Sequence, residues 1–224
     1  MSKLRRLIGA GVTYHVYARG NNDEAIFRDD ADRYRYLTTL AEAKAKYQCS
    51  VFAYVLMTNH IHLVIQTPKP NISEVMWWVH RIHATVFNRK YGRHGHLFAT
   101  RFRSRVIDSN EYLLQSTCYI HLNPVRAGLV ERPEDYGWSS YRIYANEDTI
   151  DSLVDVTAVL GLLANSPRRA RSAYVEFVNL AQTNGLVQHI PTAMRAGSYR
   201  RAGAPGGVRE PRSGLYLVRE GSVS

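Results

Sequence analysis

The sequence has only two cysteines, Cys49 and Cys118, among its 224 residues. Two thiols are too few for a disulfide-rich secreted scaffold or for a four-thiolate zinc site. No apolar run approaches the roughly 18–20 residues that a membrane span needs. Residues 7–12, which follow a basic start, are too short for the apolar core of a signal peptide. We therefore expect a soluble protein of the reducing cytoplasm.

Several common catalytic fingerprints are also missing. The sequence contains no Gly-x-Ser-x-Gly elbow, no phosphate-binding loop and no dinucleotide-binding glycine motif. Neither cysteine has neighbours that would activate a thiolate. These absences argue against serine and cysteine nucleophiles.

Acidic residues are outnumbered overall and absent from residues 75–107. The chain carries 29 Lys and Arg against 19 Asp and Glu, a formal net charge of +10. Residues 75–107 contain four His, six aromatic side chains and seven basic ones, which are Arg81, Arg89, Lys90, Arg93, Arg101, Arg103 and Arg105. Because basic groups neutralise phosphates and aromatic rings stack on unpaired bases, this stretch is predicted to bind single-stranded nucleic acid. The alternative is that most of the rings are core and that the charges solvate a face.

Hydrophobic periodicity predicts the order β-α-β-β-α-β followed by a helix. The predicted strands are residues 12–18, 49–57, 60–66 and 97–107, and the predicted helices are residues 31–47, 73–91 and 109–122, with Pro124 just beyond the last. This order indicates an α+β protein with a ferredoxin-like split βαβ fold and a central antiparallel sheet. Residues 151–184 predict two further helices, the second beginning at Ser166-Pro167.

His60-Ile61-His62 is the first candidate site. Residues two apart on a strand face the same side, so both imidazoles project together while Ile61 points into the core. Paired histidines on a rigid strand can hold a divalent cation. A bare His-x-His is a weak signal, but this pair begins a strand that follows an apolar one, so it can face a cleft.

The last predicted helix of the sheet domain carries a second candidate. Residues four apart share a helix face, so Tyr119 and Asn123 are expected to point the same way. An amide oxygen suits Mg²⁺ or Mn²⁺, and a phenol can attack phosphorus if the phosphate is polarised or a base is near. The alternatives are that Tyr119 is a half-buried helix tyrosine and that Asn123 is a C-terminal cap. Tyr112, seven residues earlier on roughly the same face, is the competing nucleophile.

Six segments taken together are more specific than either candidate. They are residues 14–16 (YHV), 19–22 (RGNN), 53–63 (AYVLMTNHIHL), 95–102 (GHLFATRF), 119–130 (YIHLNPVRAGLV) and 136–141 (YGWSSY). In this order they resemble the REP-associated tyrosine transposases, which belong to the HUH single-strand transposases and nucleases. Thr58 stands where that family commonly has Pro, and we expect a harmless change in the turn before the histidines.

The resemblance implies a metal-dependent endonuclease and strand transferase for single-stranded DNA, with Mg²⁺ or Mn²⁺ as cofactor. His60 and His62 fall on the family's histidine pair, and Asn123 falls on its third, amide-type ligand. Tyr119 falls on the catalytic tyrosine, which would leave a 5′-phosphotyrosine and a free 3′-hydroxyl. The implied substrate is a hairpin-forming, REP-like palindromic repeat with single-stranded flanks, and the implied location is the cytoplasm, with the nucleoid.

We therefore divide the chain into a catalytic domain (residues 1–150), a helical extension (151–184) and a basic tail (185–224). The tail carries six Arg, two Glu and seven Gly, and we expect it to be disordered. It serves either as a solubilising end or as a flexible arm on phosphates. The extension matches no part of the family pattern.

Two other functions compete with the strand transferase. One is a non-catalytic regulator that binds DNA hairpins on the same fold, and the other is a metal hydrolase in which water is the nucleophile. The retention of His60, His62, Tyr119 and Asn123 favours the tyrosine enzyme. Whether the protein acts as a monomer or as a homodimer stays open.

Overall fold

The computed structural model describes residues 7–147, 149, 151–184 and 215–217. In this part of the chain no helix is long and apolar enough to cross a membrane. The strands are β1 (Leu7–Gly9), β2 (Val12–Arg19), β3 (Ser50–Leu56), β4 (His60–Thr67), β5 (Arg103–Ile107) and β6 (Leu215–Leu217). The helices are α1 (Asp30–Tyr47), α2 (Ile72–Tyr91), α3 (Asn110–Arg126), α4 (Tyr141–Ala145), α5 (Val156–Leu160) and α6 (Pro167–Asn184).

Four antiparallel strands form the central sheet in the order β3-β4-β2-β5. With α1 between β2 and β3 and α2 between β4 and β5, this is the ferredoxin-like order that the sequence predicts, so the fold class is confirmed. The short strands β1 and β6 pair separately as an antiparallel ribbon. Strand β6 belongs to the predicted basic tail (residues 185–224), and the other residues of that tail lie outside the described part of the chain.

The two faces of the sheet differ in chemistry. Directly opposed residues of antiparallel strands share a face, and Tyr17 is opposed by His62 on β4 and by Arg103 on β5. His15 is opposed by Arg105 in the same way, so this face carries imidazoles and guanidinium groups. The alternate residues, such as Val16 and Leu63, are at most 1% exposed and belong to the apolar core that α1 and α2 share.

Capping explains where the two core helices begin and end. The side chain of Asp29 accepts a hydrogen bond from the backbone N–H of Asp32, and the carboxylate of Asp32 accepts one from the backbone N–H of Asp29, which is a reciprocal capping box at the start of α1. Helix α2 ends at Gly92, whose φ of 60° is the left-handed conformation that glycine adopts at little cost. Both helices therefore agree with the predicted ranges within one residue.

The last predicted strand is wrong in length. Only Arg103–Ile107 form β5, whereas residues 97–102 run irregularly apart from a single bridge between Phe98 and Gly20. Buried Leu97 and Phe102 anchor this segment, at 2% and 5% exposure, so its apolar pattern reflects burial within a loop. The sequence predicts a strand over residues 97–107 because Arg alternates with apolar residues. A loop with buried apolar side chains produces the same alternation.

The predicted end of α3 is also wrong. The helix continues through Pro124 to Arg126 and is capped by Ala127, not by Asn123. Proline lacks the N–H that would bond to Ile120, but one lost bond does not stop a helix whose Ile120 and Leu122 are at most 2% exposed. Asn123 is therefore an interior helix residue, and its reading as a C-terminal cap is excluded.

The helical extension packs onto α3 and onto the edge strand β3. Val154 forms a bridge with Val51 of β3, and the Asp155 carboxylate forms an ion pair with Lys44 of α1. Tyr174 and Val178 of α6 are fully buried in the same core as the sheet. Two helices are present as predicted, and their core is continuous with that of the sheet domain.

Candidate active site

The histidine pair lies on one face of β4. The rings of His60 and His62 are 5.4 Å apart between centroids with their planes at 89°, while Ile61 between them is 1% exposed on the core side. The strand geometry predicted from the sequence is therefore confirmed. His62 is 2% exposed, whereas His60 is only partly buried at the edge of the face.

Helix α3 places Tyr119 and Asn123 against these histidines. The ring of Tyr119 meets that of His62 edge-on at a centroid distance of 5.4 Å, and Asn123 Oδ1 lies 3.2 Å from His60 Nε2. Arg126 follows Tyr119 by seven residues, about two helical turns, on the same helix face, and its guanidinium lies 4.8 Å from the centre of the Tyr119 ring. One chain thus brings together all four predicted residues.

The competing tyrosine lies elsewhere. Tyr112 precedes Tyr119 by seven residues, about 10 Å along the helix axis, and its ring packs under the guanidinium of Arg105 at 4.9 Å. Burial raises the pKa of its phenol, with Arg105 acting in the opposite sense. Of these two tyrosines, Tyr119 is the one in ring contact with His62, so the geometry favours it over Tyr112 as nucleophile.

The donor atoms around His60 fit a divalent cation. His60 Nδ1 lies 2.7 Å from Asn59 Oδ1, an acceptor, and a proton on Nδ1 leaves the Nε2 lone pair available to a cation beside Asn123 Oδ1. Burial lowers the pKa of His60, which favours this neutral form. The distance of 3.2 Å between His60 Nε2 and Asn123 Oδ1 is that of a hydrogen bond, and it is also close to the separation of about 3 Å between adjacent oxygen or nitrogen ligands of an octahedral cation.

The amide is needed to complete this set of ligands. Among the described residues, no three His, Cys, Asp or Glu side chains are grouped to hold a metal ion. A cation here would have two nitrogen donors, from His60 and His62, and one oxygen donor, from Asn123. Mg²⁺ and Mn²⁺ prefer carboxylate oxygens to imidazole nitrogens, but either cation can bind this set.

His15 is a site residue for which the sequence reasoning assigned no role. It is fully buried on β2, and its Nε2 lies 3.0 Å from His62 Nδ1. Burial, with a smaller contribution from Arg105, lowers the pKa of His15 to about 3, and burial with the neighbouring His15, His60 and Arg126 holds the pKa of His62 well below its usual range. The resemblance includes His15 in the segment 14–16, but its contact with His62 depends on the packing of β2 beside β4, which the sequence alone does not provide.

Tyr17 and Arg126 were also missed. The ring of Tyr17 lies between the paired histidines and the basic strand β5, 4.8 Å from His62 and 5.8 Å from His60. A pocket of about 150 Å³ opens beside it, lined also by Arg19, Thr100 and Arg103. For Arg126 a signal existed, because positions 119, 123 and 126 share one helical face.

The predicted DNA-binding residues fall into two groups. Arg103 and Arg105 are exposed on the sheet face that carries the histidines, and exposed Arg101 precedes them. Arg81, Arg89, Lys90 and Arg93 belong to α2 and its end, on the other side of the sheet. Lys90 is ion paired with Asp29 and Asp32, and Arg93 with Glu24, so both have intramolecular partners. Arg81 lies 4.8 Å over the ring of Trp77, which is 56% exposed.

The rings of residues 75–107 are divided in a similar way. Phe87 and Phe102 are core side chains, and Trp78 is partly buried against the core. Exposed Trp77 is the exception. The alternative that most of these rings pack the interior is therefore confirmed for the described residues.

Comparison with known proteins places this site in a family. Residues 10–123 match the family model described as IS200-like transposase, a span that contains His60, His62, Tyr119 and Asn123. The chain belongs to the IS200-like transposases. The match ends at Asn123, so α4, α5 and α6 lie outside the part that defines this transposase family.

A solved transposase structure shows the same fold. A REP-associated tyrosine transposase bound to a REP hairpin is 20% identical to this transposase, with a TM-score of 0.55, over 69% of this chain and 98% of the other. A tRNA(His) guanylyltransferase from Saccharomyces cerevisiae is 11% identical, with a TM-score of 0.33, over 60% and 72% of the two chains, a similarity too low to bear on function. Among curated proteins there is no match.

Proposed function

We propose that this transposase-family protein is a metal-dependent endonuclease and strand transferase for single-stranded DNA, and that Tyr119 is its nucleophile. The observation that supports the proposal is the convergence of Tyr119, His62, His60 and Asn123 within one chain. The three proposed ligands lie next to the phenol that would attack a phosphate. No side chain from a second copy is needed to complete the set.

In the proposed reaction the oxygen of Tyr119 attacks the phosphorus of a phosphodiester. A bond forms between the phenol oxygen and phosphorus, the bond from phosphorus to the 3′ oxygen breaks, the phenol gives up its proton and the 3′ oxygen gains one. The products are a 5′-phosphotyrosine and a free 3′-hydroxyl, and attack by another 3′-hydroxyl reverses the step to join strands. A divalent cation, when bound, polarises the phosphate and stabilises the developing negative charge.

The protein's own side chains would hold the DNA around this centre. Arg126, next to the Tyr119 ring, is placed to contact a phosphate oxygen, and exposed Arg103 and Arg105 extend the positive charge along the same face. Guanidinium groups bind phosphates in fixed geometry, so Arg126 would also orient the scissile group.

His121 is not the base that takes the phenol proton. It is fully buried, Tyr174 bonds to its Nδ1 and Ser140 to its Nε2, and it lies on a different helix face from Tyr119, as the sequence indicates. Proton transfer to solvent is compatible with the arrangement, since it does not require this imidazole.

The proposed substrate is a DNA hairpin with single-stranded flanks. The similar solved transposase is bound to a REP hairpin, which supports a hairpin partner for this chain. The net charge of +10 suits a polyanion, and a DNA substrate would place the protein at the nucleoid.

The proposal is tested with labelled hairpin DNA, purified protein and Mg²⁺ or Mn²⁺. We expect a protein–DNA band that survives denaturation, that disappears in Tyr119→Phe and that persists in Tyr112→Phe, the matched control. Cleavage that survives Tyr119→Phe without a covalent band would indicate water as the nucleophile. Tight binding with no cleavage over a broad panel of hairpins would indicate a non-catalytic regulator.

A further inference from the structure

His15 differs from an ordinary core histidine in how its nitrogen atoms are bonded. Its Nε2 bonds to His62 Nδ1 at 3.0 Å, while its Nδ1 is buried and has no hydrogen-bond partner in the described structure. A buried unpaired polar atom costs roughly 1–3 kcal/mol. A residue kept only to stabilise the core would be apolar or fully bonded.

The shared bond between the two rings decides which nitrogen of His62 is free. Two neutral imidazoles that face each other share one proton. If His62 Nδ1 holds it and donates to His15 Nε2, then His62 Nε2 has a lone pair available for a ligand. If His15 Nε2 holds the proton, His62 carries its own on Nε2, and that nitrogen cannot coordinate a cation.

We propose that His15 is a positioning residue, which accepts the Nδ1–H of His62 and thereby directs the Nε2 lone pair of His62 at the metal site. This inference rests on the proposed metal centre. The required tautomer places the proton of His15 on Nδ1, so this buried N–H has no acceptor among the described residues and is a cost that the arrangement carries. The two rings are 5.1 Å apart between centroids, so the single bond also fixes the orientation of His62.

Among the described residues, no other side chain is hydrogen-bonded to His62. Tyr17 and Tyr119 contact the His62 ring as ring neighbours, at 4.8 and 5.4 Å between centroids. His60 has its own partner in Asn59, at 2.7 Å, so each proposed imidazole ligand has one outer acceptor that fixes its tautomer. Acceptors of this kind behind metal-bound histidines tune affinity as well as orientation.

The test measures Mn²⁺ affinity by electron paramagnetic resonance for the full chain and three variants. His15→Gln keeps an acceptor at about the position of Nε2 and is expected to bind Mn²⁺ within about threefold of the starting protein. His15→Leu removes the acceptor and is expected to bind roughly 10–100-fold more weakly. His83→Leu, at another buried histidine that bonds to the Ile26 carbonyl, serves as the matched control and should leave Mn²⁺ affinity unchanged.

The outcomes separate the two proposals. If the unsubstituted protein does not bind Mn²⁺, the metal centre itself is wrong. If it binds and His15→Leu binds equally well, the role of His15 is overturned. Nitrogen-15 NMR of the histidine rings gives a second readout that needs no metal and no variant: we expect the proton of His62 on Nδ1, and a proton on Nε2 would contradict the inference.

Discussion

The buried histidines His121 and His15 differ in their hydrogen bonding: both ring nitrogens of His121 have partners, whereas only one of His15 has. Tyr174 O–H donates to His121 Nδ1 at 2.7 Å, and His121 Nε2–H donates to Ser140 Oγ at 2.8 Å. Ser140 in turn bonds to the backbone of Tyr54, accepting its N–H and donating to its carbonyl. Every polar atom of this network, which joins α6 to α3 and β3, has a partner.

The other histidine region, around His15, His60 and His62, is less completely bonded. His15 Nδ1 is buried and has no partner among the described residues, and His60 Nε2 lies 3.2 Å from Asn123 Oδ1. A fully bonded network stabilises a core, whereas a buried polar atom without a partner costs stability and calls for a functional explanation. From this comparison we assign His121 to the fold and propose a chemical role for His60 and His62.

A substitution at His60 is expected to give the largest difference between its effect on Mn²⁺ affinity and its effect on stability. His60→Ala removes a proposed ligand that is only partly buried, so we expect Mn²⁺ affinity to fall by more than about 100-fold, beyond the usual effect of an outer partner. The free energy of unfolding in the absence of metal should change by less than about 0.5 kcal/mol. Calorimetric titration and urea unfolding measure the two quantities. Equal Mn²⁺ affinity in the variant would remove His60 from the site.

On the structural side, Tyr174→Phe should have the converse effect. It leaves the buried acceptor His121 Nδ1 without its donor, so we expect a loss of about 1–3 kcal/mol in the free energy of unfolding. Mn²⁺ affinity of the folded protein should be unchanged. Tyr34→Phe, at a tyrosine that is 65% exposed, is the control and should alter neither. A change in Mn²⁺ affinity alone would refute the division between the two regions.

Acidification should weaken the structural network in a defined pH window. Burial lowers the pKa of His121 to about 3 from an ordinary 6.5, so the folded protein keeps it neutral while the unfolded chain protonates. The stabilisation is therefore complete above about pH 6.5 and is lost as the pH falls towards 3, by about 1.4 kcal/mol per pH unit for this residue. Urea unfolding across pH 4–7 should show a shallower pH dependence in His121→Gln. The same pH dependence of the unfolding free energy in both proteins would show that His121 does not contribute to it.

The smallest effect concerns the two basic surfaces. Arg103→Gln with Arg105→Gln should reduce the slope of log affinity against log salt for single-stranded DNA by about 1.4, two counterions at about 0.7 each. The matched pair Arg81→Gln with Arg89→Gln, on α2, should leave the slope unchanged. Fluorescence anisotropy at several salt concentrations measures both. A reduced slope in the Arg81→Gln, Arg89→Gln variant alone would place the DNA on the opposite side of the sheet.

The sequence predicted the parts of the site that depend on local periodicity. Alternation along β4 places His60 with His62, and helical spacing places Tyr119 with Asn123, and both arrangements are present. It missed His15 because its contact with His62 depends on strand register, which long-range packing decides. It also ended α3 too early at Pro124, because tertiary burial outweighed the local cost of proline. The charge pattern alone could not separate Arg105, beside the site, from ion-paired Lys90.

The most direct test of the account identifies the residue that becomes attached to DNA. After reaction with hairpin DNA and nuclease trimming, trypsin should release residues 106–126, which contain both Tyr112 and Tyr119. Fragmentation of this peptide by mass spectrometry locates the added nucleotide. The account predicts a 5′-phosphonucleotide on Tyr119. The same mass on Tyr112, or cleaved DNA with an unmodified peptide, would contradict it.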